Sequence, residues 1–262
     1  MIEIFQAGVI GLIQGLTEFL PVSSSAHLIL IPALLGWPEQ GLAFDIVVHV
    51  ATLLAVVWHY RHDCFKIASA LFQSTPSPNR RLSWWLSFSP LPLVVLTLAL
   101  GSELIHELRT PTVIAWSCIF FSLPLILAQY LHSRRQAPHA SEAPWWILIV
   151  IALAQALAVI PGASRSGITL AAGVCCGLSL PQATRYAFLM AIPTIVLAFG
   201  YELIHLSGTL DMHLPSLLTG FIIAFLVALL CIRAFCYGVS KIGLYPFIVY
   251  RVLLGGIILM LL

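Results

Sequence analysis

Gln14-Gly15-Leu16-Thr17-Glu18-Phe19-Leu20-Pro21-Val22-Ser23-Ser24-Ser25-Ala26-His27 reads as an apolar helix that halts at a proline and restarts at a run of serines. Proline cannot continue a helix interior, whereas serine is a favoured N-cap, so one helix ends and another begins within about five residues. The apolar runs on either side cover residues 4 to 20 and 26 to 35. Roughly 20 apolar residues make a membrane span, so a short run behind a helix breaker reads as a re-entrant or broken helix. Pro161-Gly162-Ala163-Ser164-Arg165-Ser166-Gly167 repeats the arrangement between the apolar runs 145 to 160 and 167 to 178.

The whole composition agrees with a bilayer setting. Of the 262 residues, 60% are hydrophobic and 8% charged, against about 25% charged in soluble domains. A soluble α/β enzyme is excluded, and an all-α polytopic membrane protein is expected. The net charge of +2 comes without a polybasic tract, which argues against nucleic acid as a partner. Six cysteines without a C-x-x-C pair give no disulfide or zinc framework. Glu3 precedes the first apolar run and no basic residue does, so that run is expected to remain as a helix rather than act as a cleaved signal.

Six further apolar runs lie near 42 to 60, 84 to 101, 112 to 131, 184 to 205, 215 to 236 and 244 to 262. An offset of 140 places Pro21 on Pro161, Ser24 on Ser164, Asp45 on Arg185 and Ala51 on Ala191, with Gln14 and Gln155 within one residue of register. A single membrane domain, 1–262, built of two repeats, 1–140 and 141–262, is expected. If each broken pair enters and leaves by one face, each half has three crossings. That odd number inverts the second half and gives an inverted-repeat bundle of about six crossings, with its site where the breaks meet. The loops 61 to 83, 132 to 144 and 237 to 243 then share a face carrying Arg61, Lys66, Arg80, Arg81, Arg134, Arg135 and Lys241, and the other face has Arg109. The positive-inside rule makes the first face cytoplasmic and places both termini outside.

Glu18, His27 and Arg165 sit in or beside the breaks, where charge is costly unless it faces a cavity or a partner. A structural ion pair between Glu18 and Arg165 is the plainer reading. The functional one is an anion cradle. Ser23, Ser24 and Ser25 open one helix and Ser164 stands likewise at the start of another, so free N–H groups and hydroxyls point into the breaks. Gly162 permits the tight turn, and Arg165 offers a planar fork matched to phosphate oxygens. A hydroxyl at Ser24, an imidazole at His27 and a carboxylate at Glu18 could supply nucleophile, base and orienting group. Asp45 and His49, four apart on one helix face, could together hold a metal or a proton, but the structural reading is preferred, with Arg185 neutralising Asp45.

The two quoted motifs, together with Ala191-Ile192-Pro193 and the stretch from Pro246-Phe247 to Tyr250-Arg251, resemble the bacterial undecaprenyl-diphosphate phosphatase family linked to bacitracin resistance. The resemblance covers nearly the whole chain. It implies interleaved inverted repeats with two re-entrant helix pairs and removal of the terminal phosphate from a polyprenyl diphosphate, usually with a divalent cation such as Mg2+ or Ca2+. The family's motifs map onto Glu18, Ser24, His27, Ser164, Arg165 and Ser166. Gln14 stands where relatives have Glu or Gln, so Glu18 and Gln14 are the implied metal ligands. The implied setting is the bacterial inner membrane, with lipid as substrate and surroundings and with a homodimer left open.

Two functions of different class follow. The leading one is hydrolysis of undecaprenyl diphosphate, with Ser24, His27 or water as the attacking group. The alternative is a lipid-carrier translocase, since broken helices and inverted repeats are transporter features. The acid-phosphatase motif of other lipid phosphatases does not fit, because its histidine would fall on Ala171.

Overall fold

The computed structural model describes residues 3–38, 41–73, 75, 77–134, 143–205 and 213–262, and among them it is helical throughout, without strands. The first broken pair is α1 (Ile4–Thr17) and α2 (Ser24–Leu35). The second is α9 (Trp145–Ala156), prolonged by a 3-10 turn at Leu157–Val159, and α10 (Arg165–Cys175). Between the pairs run α3 (Leu42–His59), α4 (Arg61–Leu71), α5 (Pro78–Phe88), α6 (Leu91–Glu107), α7 (Pro111–Phe120) and α8 (Ser122–Arg134). The chain closes with α11 (Leu180–His205), α12 (Leu214–Ile242) and α13 (Tyr245–Leu261).

Local chemistry sets the helix starts. Ser77 and Thr110 accept from the backbone N–H of Arg80 and Val113, and Pro78 and Pro111 follow at the first helical position, where no N–H is needed. Among the described residues four stretches are long and apolar enough to cross a membrane: Pro78–Glu107, Pro111–Arg134, Leu180–Tyr201 and Leu214–Ile242. The bent pair α3 and α4 makes a fifth if the two are counted as one span. α13, an apolar helix of 17 residues, is at the short end of spanning length, so the described helices give four or five spans against the expected six.

The segment expected to be a loop at 61 to 83 contains α4 and the start of α5. α4 turns 87° from α3. It carries Arg61, Asp63 and Lys66 together with the exposed Phe65, and the exposed Phe72 caps its end, a mixture of charged and aromatic surface suited to a helix lying in the membrane interface. The expected neutralisation of Asp45 by Arg185 is overturned: Arg185 Nε donates to Asp63 Oδ2 at 3.1 Å, because α11 runs past the α3–α4 bend.

α1 and α12 form the most intimate helix pair. Small residues allow this: a Cβ on Gly11 would lie 2.5 Å from the Gly220 carbonyl oxygen, so the backbones touch. Lipid does not squeeze apolar helices together as water does, and close packing of small residues is what joins them. α3 packs against the same face of α12, and α10 is enclosed by α8, α9 and α11. The two breaks are thereby buried in the middle of the protein, the only place where irregular backbone is tolerated at membrane depth.

Candidate active site at the meeting of the two breaks

Ser23 and Ser164 are the two non-glycine residues with positive φ among the described residues, at φ/ψ 75°/97° and 69°/100°. Such a backbone costs roughly 1 to 3 kcal/mol and persists where its surroundings enforce it. Each is followed by the first residue of a helix, and each hydroxyl lies 3.2 Å from the serine hydroxyl two positions on, Ser25 or Ser166. The equivalence corrects the offset by one: 164 − 23 is 141, as is 155 − 14 for Gln155 and Gln14. Ser24 therefore corresponds to Arg165, not to Ser164. The backbone turn sets the register, and Pro21 and Pro161 sit one step apart within it.

Glu18 caps the C-terminus of α1 and organises the site. Arg165 Nη2 donates to Glu18 Oε1 at 2.6 Å, while Ser24 Oγ and Gln14 Nε2 donate to Oε2 at 2.6 and 2.9 Å. Ser166 Oγ crosses to the Leu20 carbonyl at 2.8 Å and locks the breaks together. The Glu18 side chain is 6% exposed and that of Arg165 14%, so this ion pair interacts in a setting where water screens little.

Above the pair opens a cavity of about 820 Å³. Its floor is polar, made by Glu18, Ser23, Ser24, Ser25, Ser164 and Arg165. Asp45, His49 and Arg109 add charge and polarity toward the ends of α3 and α6, and the walls are apolar, with Leu28, Ile29, Leu93, Ile195 and Phe199. The shape suits an amphiphile with an anionic head.

His27 does not line this cavity, contrary to expectation. Its Nδ1–H donates to the Ser23 carbonyl at 2.7 Å, so in the neutral ring Nε2 accepts from the Tyr250 hydroxyl at 2.5 Å. One helical turn carries its side chain behind Ser23 rather than beside Ser24. The imidazole on the cavity is that of His49, held by donation from Nδ1 to the Asp45 carbonyl at 2.7 Å, with Nε2 3.7 Å from Glu18 Oε2. Two members of the expected phosphate-binding set also lie off the cavity. Ser166 is engaged with Leu20, and Gly162, at φ 92°, packs against α7, where a Cβ would meet the Ile114 carbonyl at 2.8 Å. The signal for His49 was its spacing of four from Asp45, which read as structural. Arg109 had one, as the lone basic residue assigned to its face.

A cation cage made by protein alone does not fit. Among the described residues no three His, Cys, Asp or Glu side chains converge. Both Glu18 oxygens are engaged, and the Gln14 amide is fully buried behind Glu18, with Oε1 a buried acceptor lacking a partner. Gln14 thus supports the carboxylate and does not face the cavity. What the floor does provide is a hydroxyl bonded to a carboxylate, as a nucleophile requires, and a guanidinium on the carboxylate's other oxygen, beside the start of a helix where anions are stabilised.

Comparison with known proteins agrees with this chemistry. Residues 7–257 match the family described as "Bacitracin resistance protein BacA". The chain is 40% identical to "Undecaprenyl-diphosphatase 2" of Stutzerimonas stutzeri (strain A1501), over 99% of this chain and 98% of that protein. It is 40% identical to "Undecaprenyl-diphosphatase" of Marinobacter nauticus, over 98% of each. With "Undecaprenyl-diphosphatase 1" of Pseudoalteromonas translucida it shares 42% identity over 99% of each. Two helix breaks held together around one carboxylate, in a chain similar to these relatives from end to end, belong to a member of the bacitracin resistance protein BacA family.

Proposed function

We propose that the chain is an integral-membrane phosphatase that hydrolyses undecaprenyl diphosphate, the activity its relatives' names state, to undecaprenyl phosphate and inorganic phosphate. Recycling of the lipid carrier for cell-wall synthesis and resistance to bacitracin follow from that activity and from the family. The relatives' names are those of hydrolases, which leaves the translocase alternative without support. The observation that carries the mechanism is the 2.6 Å bond from Ser24 Oγ to Glu18 Oε2. Ser24 attacks the terminal phosphorus, its proton passes to Glu18, and the bond to the bridging oxygen breaks, releasing the prenyl phosphate. Glu18 passes that proton to the departing prenyl phosphate and so to solvent; water then cleaves the phosphoserine, with Glu18 taking its proton and returning it to Ser24 Oγ, which frees inorganic phosphate and restores Ser24. Arg165 and the N–H groups at the start of α2 stabilise the phosphoryl oxygens, which is where catalysis of this reaction chiefly lies.

The formal charges of the acidic and basic residues lining the cavity cancel, Arg109 and Arg165 against Glu18 and Asp45. A diphosphate adds at least two negative charges and so favours an accompanying divalent cation. Mg2+ or Ca2+ would be held by the phosphates with Glu18 or Asp45, as hard cations are commonly held by one or two carboxylates plus substrate oxygens, and would neutralise developing charge.

The matching turns at Ser23 and Ser164 support two inverted repeats, 1–140 and 141–262. Trp37, Gly41, Arg109 and Pro111, which line the cavity, lie near helix ends that the positive-inside count assigns to the outer face, which supports a cavity opening on that face of the cytoplasmic membrane. The test is phosphate release from undecaprenyl diphosphate by purified protein in detergent, with and without chelator, and mass spectrometry for phosphate on Ser24 during turnover. Detergent removes the two compartments that translocation needs, so release there separates the readings. No release, in the presence of Mg2+ or Ca2+, refutes the proposal.

A further inference from the structure

Among the described residues Arg251 is the largest fully buried side chain, at 0% exposure, and no carboxylate among them lies within ion-pair distance. Its Nη2 donates to the Gly162 carbonyl at 2.9 Å and to the Ser117 carbonyl at 3.4 Å, and Nε donates to Ser122 Oγ at 3.3 Å. Nη1 has no partner among the described residues. An unpaired buried cation is costly to retain, and packing alone would be served by an apolar side chain. What it grips is specific: the carbonyl of the turn residue at φ 92°, two positions before strained Ser164.

The preceding residue, Tyr250, does the corresponding thing at the other break. Its hydroxyl donates to His27 Nε2, whose Nδ1–H donates to the carbonyl of strained Ser23, immediately before Ser24. The rings of Tyr250 and His27 lie parallel to within 10°. Adjacent residues of one helix, α13, therefore hold the backbone of both breaks, one through a histidine and one directly.

Building on the phosphatase reading, we propose that Tyr250 and Arg251 are positioning residues that fix the two breaks in register, so that Ser24 and Arg165 meet opposite oxygens of Glu18. His27 acts as the relay between Tyr250 and Ser23 and touches no substrate. Displacing a reacting group by about 1 Å costs on the order of 100-fold in rate. Tyr250→Phe removes one hydroxyl, and Arg251→Lys keeps the charge while losing the fork. Each is expected to lower kcat about 10- to 100-fold, with KM within about threefold and the melting temperature near that of the parent. The double variant is expected to be little slower than the slower single one, because either change breaks the same register.

A second readout does not depend on hydrolysis. In a Ser24→Cys background, the modification rate of residue 24 by an anionic methanethiosulfonate, relative to a neutral one, reports whether the thiol still faces the cationic cradle. That ratio is expected to fall about threefold or more in the Tyr250→Phe and Arg251→Lys backgrounds, since focusing by fixed charge depends on placement. Unchanged kcat in Tyr250→Phe overturns the proposal, as does an unchanged ratio or losses that merely follow the melting temperature. Should Arg251→Lys fail to fold, Tyr250→Phe carries both measurements by itself. If the parent releases no phosphate, the phosphatase reading fails, and the thiol ratio still decides the positioning role.

Discussion

Replacing Arg165 by lysine separates a catalytic guanidinium from a structural ion pair. Arg165 uses Nη2 on Glu18 at 2.6 Å, and its side chain is 14% exposed beside the cavity, so its other nitrogens are available to phosphate oxygens. Lysine can restore one contact to Glu18, and the buried carboxylate keeps a counter-ion. It cannot also present a planar pair of donors to a phosphoryl group whose charge is spread over several oxygens. The expected loss is that of one preorganised donor, about 2.7 to 4 kcal/mol of transition-state stabilisation, or roughly 100- to 900-fold in kcat/KM. Arg165→Ala adds a different penalty. It leaves Glu18 charged and unpaired where its side chain is 6% exposed, which typically costs about 3 to 5 kcal/mol of stability. The assay is phosphate release across a substrate series for both variants and Glu18→Gln, with melting temperatures in the same detergent. Arg165→Lys should be nearly inactive yet stable, and Arg165→Ala inactive and destabilised. Nearly full activity in Arg165→Lys, or activity that tracks stability across all three, would refute the cradle and leave an ion pair that only seals the interface.

Ser24→Ala removes a hydroxyl and one hydrogen bond to Glu18; kcat should fall below detection by phosphate release, with a stability change of about 1 kcal/mol, and near-normal turnover would transfer the attack to water. Arg109→Ala, at the cavity mouth, should raise KM with kcat within about threefold, more strongly at low salt, because an exposed charge acts on encounter and is screened by ions. Gly162→Ala combines positive φ with a Cβ 2.8 Å from the Ile114 carbonyl, so a stability loss of several kcal/mol, about 2 to 6, should appear as a lower melting temperature or failure to accumulate. A tag after Leu262 should be accessible from outside the cytoplasmic membrane, and activity of a cytoplasmic reporter fused there would overturn the orientation.

Hydrophobic run lengths and their interruption by Pro21 and Pro161 were enough to establish a helical membrane protein with two broken pairs, because a bilayer admits little else. The same reading brought Glu18, Ser24 and Arg165 forward as site residues, since charge and clustered hydroxyls at membrane depth require a local reason. Residue order did not show which way side chains face across a turn whose backbone is left-handed. That turn at Ser23 and Ser164 shifts the repeat by one residue, swings His27 behind the break and leaves the cavity to His49. Likewise, Arg185 and Asp63 are 122 positions apart, and their pairing depends on how α11 crosses the α3–α4 bend. Arg251 is the clearest case. In sequence it stands in the stretch that carries the resemblance but with no role attached, and only the convergence of α7, α8 and the second break on α13 gives its guanidinium three acceptors. Short-range chemistry and the demands of the bilayer are written along the chain, whereas contacts between distant segments arise from packing angles that no single segment encodes.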